Sequence, residues 1–332
     1  MRSIRNFAGI VMSTTPITID KVNYTVIGGR REPELRREPP LISVVLLNRA
    51  GRVFKADTLS ILRKLNVHEV LSIESSGAGW DVESLVSRFP EVRFIKIHRD
   101  DVTEGEKINI GIEESRASLA LVLYDDMSLA SGGISSRLME RITSSRAVCT
   151  VPLLQTRKQS TVPTIMSPAF LKNSLKIVQL PPAVDGMDSL FPFDYCGIYD
   201  RELFSQLGGY DERITGRWWQ KLDFGFRAHM WGEKICCSTA LRVKYLDDIP
   251  AESLTPDSSY RFFHLKNLSV RFNGDTGSLP SSRFFSYHVR SGESFFTSLK
   301  EFKEARRWVE QNKYRFRMDA KSITEIWEAP EH

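Results

Sequence analysis

Residues 119–123 are apolar, and the run ends on Tyr124, Asp125 and Asp126. A short apolar run bounded by polar residues suits a strand buried on both faces. Both aspartates then sit at its carboxyl end. Open α/β sheets bind ligands in the crevice beyond such ends. Two acids there can hold a hard divalent cation, and the cation can hold a diphosphate. Aspartates also serve strand-end turns by accepting backbone hydrogen bonds. Glu74 ends a second strand, 67–73, ahead of Ser75-Ser76-Gly77. It can accept from a base or a ribose, or cap the turn. Asn48 ends a third, 41–47, with an amide that can pair with a base or cap the turn after it. The set of Asn48, Glu74, Asp125 and Asp126 is more specific than any member, and it points to a nucleotide.

Positioning these residues takes an alternation of strands and helices. Strands are expected at 41–47, 67–73, 92–97, 119–124 and 147–153. Helices are expected at 53–65, 82–89, 106–115 and 135–143. In the first helix Phe54, Leu59, Leu62 and Leu65 fall at helical spacing. Alternation of this kind predicts a parallel sheet with helices on both faces, a three-layer αβα fold. Residues 155–192 lack periodicity and read as long loops. A helix at 201–207 stops at Gly208-Gly209, and one at 220–231 stops at Gly232. Beyond residue 250 the chain is basic and aromatic, with amphipathic helices expected at 260–272 and 295–314. The charged, proline-broken stretch 29–40 closes an N-terminal extension with one strand, 24–27. The expected division is an extension and linker at 1–40, an α/β domain at 41–250 and a helical C-terminal extension at 251–332.

The chain has 332 residues, 41% of them hydrophobic, enough for a substantial core. No apolar run reaches the roughly 18 residues of a membrane span, and residues 1–15 are too polar for a signal peptide. Cys149, Cys196, Cys236 and Cys237 have no metal-site or disulfide spacing, so a reducing cytoplasm is expected. A net charge of +5 suits an anionic partner, although a solvated basic surface gives the same excess. No nucleic-acid module is legible, and no nucleic-acid partner is expected.

Several segments occur together. Ser43-Val44-Val45-Leu46-Leu47-Asn48 forms the first strand. Glu74-Ser75-Ser76-Gly77 closes the second. Asn109-Ile110-Gly111 precedes Tyr124-Asp125-Asp126. Leu203 to Glu212 ends in Gly208-Gly209-Tyr210-Asp211-Glu212. Gln220-Lys221-Leu222-Asp223 opens the next helix, which continues to Arg227. Over residues 41–236 the chain resembles a GT-A type glycosyltransferase, close to the large inverting family 2 of rhamnosyl- and polysaccharide-building transferases.

The resemblance implies a hexosyltransferase-like enzyme of polysaccharide and cell-envelope assembly. Its donor is a nucleotide-diphosphate sugar, and its acceptor a glycan or lipid-linked glycan. Asn48, Glu74, Asn109 and Asp125 would bind the nucleotide. Asp126 would hold Mg2+ or Mn2+, with His264 as a second ligand. Trp218 and Trp219 would meet the acceptor. Tyr124 stands where the family's metal motif has its first acid. Gln220-Lys221 stands where the family has the acid pair that contains the general base, so Asp223, Asp211 and Glu212 are the catalytic candidates. Aromatics and cations interleave after residue 284, as at a membrane interface, so a peripheral contact at the inner face is expected. An amphipathic helix packed on the domain gives the same pattern. The competing reading is a GT-A-shaped binding or scaffold protein without catalysis. A nucleotidyltransferase is disfavoured, because no Gly-rich loop follows the first strand.

Overall fold

The computed structural model describes residues 22–29, 42–49, 52–65, 67–75, 82–130, 134–171 and 174–327. Among these residues nine strands make the main sheet: β1 (Tyr24–Gly28), β2 (Ile42–Leu47), β3 (Glu69–Glu74), β4 (Arg93–Ile97), β5 (Leu119–Tyr124), β6 (Met127–Leu129), β7 (Cys149–Gln155), β10 (Gly197–Asp200) and β11 (Ile235–Tyr245). Their order is β1-β4-β3-β2-β5-β10-β7-β11-β6, with β1, β6 and β10 running against the rest. Strands β2 and β5 are buried at every residue, which is why each reads as an apolar run and not as an alternation. They pair in parallel, Leu47 opposite Tyr124. The register brings Asn48 and Asp125 out at one level of the sheet edge.

The helices of this half are α1 (Arg52–Leu62), α2 (Val82–Arg88), α3 (Glu104–Glu114), α4 (Ser136–Ser145) and α5 (Arg201–Leu207). Helix α3 starts two residues ahead of the expected 106 because Thr103 and Glu106 form a capping box. It lies on β2 through Gly111, where an added methyl would overlap the Val45 side chain. Gly111→Ala is therefore expected to cost about 1–3 kcal/mol through overpacking, seen as a lower Tm in a thermal melt.

Helix α6 (Arg217–Met230) joins the sheet to the C-terminal elements. Phe224 and Ala228 pack into the core on the sheet, while Trp218, Leu222, Phe226 and Met230 pack into a second core. Residues two apart on a helix point about 200° apart. Alternate faces of one helix thus fill two cores. The second core also takes in α7 (Ser258–Phe263), a π-helical turn (His264–Leu268), α8 (Arg283–Ser291), α9 (Phe295–Asn312) and α10 (Ala320–Ile326).

Three expectations are corrected. The stretch 155–192 contains a hairpin of β8 (Ile165–Leu171) and β9 (Ser174–Leu180), not loops alone. Strand β11 was not anticipated: its register shifts between Ser238 and Arg242, which breaks any periodicity. The helix expected at 260–272 becomes α7 and the π turn. Its end is strand β12 (Arg271–Phe272), paired with β13 (Gly277–Ser278). Among the described residues no helix is long and apolar enough to cross a membrane.

Candidate functional site

At the carboxyl ends of β2, β3 and β5 the polar groups are tightly allotted. Asp125 closes the turn after β2: its Oδ1 accepts the Arg49 N–H at 2.8 Å, and its carbonyl accepts Thr58 Oγ1 at 2.8 Å. Glu74 pairs with the buried Lys55 ammonium through Oε1, which also accepts Ser72 Oγ at 3.0 Å. Its other oxygen lies 3.5 Å from Asn48 Nδ2. Asn48 Oδ1 is buried and has no hydrogen-bond partner among the described residues. An acceptor left open in this way is costly unless a ligand answers it.

Asp126 is 2% exposed. Its Oδ2 is 3.3 Å from Arg49 Nε, and its Oδ1 has no hydrogen-bond partner among the described residues. Burial pushes its carboxyl up to about 6, with Arg49 pulling down and Asp125 and Asp194 adding to the rise.

Around it stands a charge cluster that sequence reasoning did not assemble. The Arg49 guanidinium lies 3.4 Å from the centre of the Tyr124 ring and 2.8 Å from Asp194 Oδ2. Arg217 donates to Asp194 Oδ1 at 3.2 Å and to the Tyr124 hydroxyl at 3.1 Å. The Tyr245 hydroxyl donates to Asp194 Oδ2 at 2.8 Å. Tyr124, in the place of the expected acid, is thus a platform between two guanidiniums. Asp194 and Tyr195 both have left-handed backbones, φ 50° and 58°. Strain of that kind in non-glycine residues marks functional sites. No sequence signal announces it, because positive φ leaves no trace in residue type here.

On α6 the two residues at the expected base position have separate jobs. Gln220 is buried and saturated: Oε1 accepts from Tyr195 Oη and Gly105 N, and Nε2 donates to Thr103 Oγ1 and the Asp211 carbonyl, all within 3.2 Å. Lys221 is buried among the rings of Phe191, Phe193, Tyr195 and Trp218, 5.3–5.9 Å from their centres. Its ammonium pairs with Glu252, whose side chain is 11% exposed. Burial lowers the Lys221 pKa, against the pull of Glu252.

Other candidates are spent on the frame. Asp223 is fully buried and takes Asn267 at 2.8 Å, with Arg227 and Lys266 each at 3.0 Å. Asp211 pairs with Lys266 and Arg213, both at 2.7 Å. Although burial opposes it, these two cations hold the Asp211 carboxyl well below the usual carboxylate range. Glu212 lies partly buried beside it. Asn109 grips the backbone of Tyr210 at both N and O, each at 2.8 Å. Gly209, at φ 63°, passes so close to this amide that a side chain would collide with it. The Gly208-Gly209-Tyr210-Asp211 segment is therefore a structural clasp, and Asn109, Asp211 and Asp223 are its parts.

His264 hydrogen-bonds Ser269 through Nδ1 and lies near Arg283 and Arg290. The neighbours of His264 and those of Asp126 are different residues. No group of three or more His, Cys, Asp or Glu able to hold a metal occurs among the described residues. Trp218 packs edge-on against Phe191 at 5.4 Å, and Trp219 Nε1 donates to the Thr255 carbonyl at 3.2 Å. Both are buried anchors, and both reach the wall of a cavity.

No protein-family model matches the chain, and no curated protein does. Solved structures do. One is GalNAc-T7 with UDP, GalNAc and Mn2+: TM-score 0.57, 16% identity, 89% of this chain and 59% of that chain. Another is S. aureus TarS 1-349 in complex with UDP-GlcNAc: TM-score 0.51, 12% identity, 80% of this chain and 79% of that one. At such identities the likeness is one of fold. The chain has the mixed α/β fold of GT-A glycosyltransferases, with a helical C-terminal region, and it spans 59% of the GalNAc-T7 chain.

Proposed function

We propose that the chain is a glycosyltransferase that moves a sugar from a nucleotide-diphosphate donor to a glycan or lipid-linked acceptor, with inversion. The observation that carries this is a pair of buried acceptor atoms without hydrogen-bond partners among the described residues, Asn48 Oδ1 and Asp126 Oδ1, at the ends of adjacent strands in a GT-A fold. One suits the N–H of a base. The other suits a cation that a diphosphate brings with it. UDP and UDP-GlcNAc in GalNAc-T7 and TarS support uridine as the nucleoside.

Mg2+ or Mn2+ fits this site with Asp126 as its one protein carboxylate, since such ions commonly take one or two carboxylates plus substrate phosphates. When bound, the ion neutralises charge on the leaving diphosphate. The chain's own residues do the rest. Asn48 and the Lys55-held Glu74 receive the nucleoside. Arg49 and Arg217 bring fixed positive charge beside the diphosphate, in a setting that needs no reorganisation. Asp125 keeps the turn that carries Arg49. The acceptor oxygen attacks the anomeric carbon from the side opposite the diphosphate, and Glu252 takes the hydroxyl proton. Lys221 replaces an acid on α6, but it holds the Glu252 carboxylate at that place. This favours the enzyme over the scaffold reading, which rests on an acceptor half without a base. Phe285, Val289 and Phe296, 72–81% exposed, support a peripheral membrane contact of the C-terminal region.

The test is calorimetry with UDP, UDP-GlcNAc and UDP-GalNAc, with and without Mn2+. Metal-dependent binding is expected, and a donor at 100 times its Kd should stabilise the fold by about 2.7 kcal/mol. No binding to any nucleotide sugar overturns the proposal.

A further inference from the structure

A cavity of about 1060 Å³ lies between α6, β9, the 246–257 loop and the C-terminal helices. That is at the top of the size range for small-ligand sites, about 300–1,000 Å³, and has room for several linked units. Its wall carries Lys176, Arg271, Arg283, Arg290 and Lys321 against a single acid, Glu325. In the whole chain 46 Lys and Arg face 41 Asp and Glu, so this wall is more basic than the chain at large. Asp319 answers Arg271 at 3.6 Å, and Glu325 answers Lys321 at 3.2 Å. Lys176, Arg283 and Arg290 have no ion pair among the described residues. They come from β9 and from the two ends of α8, far apart in sequence.

The same cavity has an aromatic wall of Trp218, Trp219 and Tyr260, surfaces on which sugar rings pack. It also adjoins the place of transfer. Trp218 is one of the rings around Lys221, and Leu254 and Pro256 of the wall belong to the loop that carries Glu252. Arginine prefers phosphate because its planar fork can donate two parallel hydrogen bonds.

Building on the transferase reading, we infer that this cavity is the acceptor subsite and that the acceptor is a glycan bearing phosphate groups. Arg283, Arg290 and Lys176 hold the phosphates while Trp218 and Trp219 pack on the sugars. The subsite thus selects its acceptor by charge at a distance from the reacting hydroxyl.

The test uses the full chain and an Arg283→Gln/Arg290→Gln variant, safe for folding because both side chains are exposed. Inorganic tripolyphosphate is titrated calorimetrically without metal, and vesicles of phosphatidylglycerol are compared with vesicles of phosphatidylcholine. UDP binding is measured in parallel. The variant should bind tripolyphosphate about tenfold more weakly or worse, with UDP binding unchanged. Tripolyphosphate binding assigns the phosphate to a water-soluble chain. Selective binding to phosphatidylglycerol alone assigns it to a lipid-linked one. Both require the loss in the variant. Equal binding by variant and wild type, or no binding to either probe, overturns the inference. Tripolyphosphate binding that the variant loses, in a chain that binds no nucleotide sugar, leaves the anion site standing and removes the transferase reading.

Discussion

Asp126→Asn is expected to lower sugar transfer by about 10²–10³ and at the same time to make the unliganded protein more stable at neutral pH. The activity loss follows from removing a buried carboxylate oxygen that has no hydrogen-bond partner among the described residues and suits a cation at the diphosphate. Electrostatic contacts of this type are worth about 3–4 kcal/mol in the transition state. The gain in stability follows from the same burial. The Asp126 carboxyl moves from 3.8 to about 6 on folding. A raised carboxyl pKa means that the charged form is disfavoured in the fold. Its stabilising contribution is full below the unfolded value and is lost as pH rises through the folded one. The wild type therefore loses stability between about pH 4 and pH 6 from this group, and the asparagine variant does not. The difference at pH 7.5 is about 1–3 kcal/mol. Tm measured against pH for both proteins checks it. Adding UDP with Mn2+ should raise the Tm of the wild type and not of the variant. A variant that is both less active and less stable at every pH would make Asp126 an ordinary structural residue.

Much of the polar edge at the ends of β2, β3 and β5 is legible in the sequence because it rests on short-range signals. The apolar runs of β2 and β5 name their own burial, and a chain that alternates strands with helices brings their carboxyl ends to one edge. Asn48, Glu74, Asp125 and Asp126 follow from that alone. Their division of labour does not. Asp125 and Asp126 are neighbours of one type, yet the first closes a turn through a backbone N–H and the second faces a guanidinium. That difference comes from Arg49, whose backbone goes to the first and whose side chain goes to the second. The Gly208-Gly209-Tyr210-Asp211 segment was legible as a motif, but its packing role was not. Its acid is answered by Lys266, 55 residues away in sequence, and no local pattern encodes so distant a partner. Asp194 is hidden for a similar reason: its role depends on a left-handed turn and on Arg49, 145 residues away. The Lys221–Glu252 pair has no sequence signal because Glu252 comes from the loop after β11, and β11 itself has no periodic signature.

The same distance in sequence makes Glu252 the sharper test of mechanism. Glu252→Gln is expected to lower kcat by about 10²–10⁴, the usual contribution of a positioned general base, with donor affinity unchanged. Glutamine keeps the shape and offers the Lys221 ammonium an oxygen, but it cannot take a proton. Stability alone is an ambiguous readout here, because removing one partner of a buried pair leaves an uncompensated charge and can cost about 3–5 kcal/mol. The Lys221→Met/Glu252→Gln double variant separates the two effects. It removes both charges from among Phe191, Phe193, Tyr195 and Trp218, where an apolar chain packs well. Replacing a buried pair with apolar groups is often neutral or stabilising, so the Tm should recover. The kcat should stay low, because no carboxylate has returned to the acceptor hydroxyl. Recovery of kcat together with Tm would show that Glu252 serves only to neutralise Lys221, and the proton would then have to leave by another route.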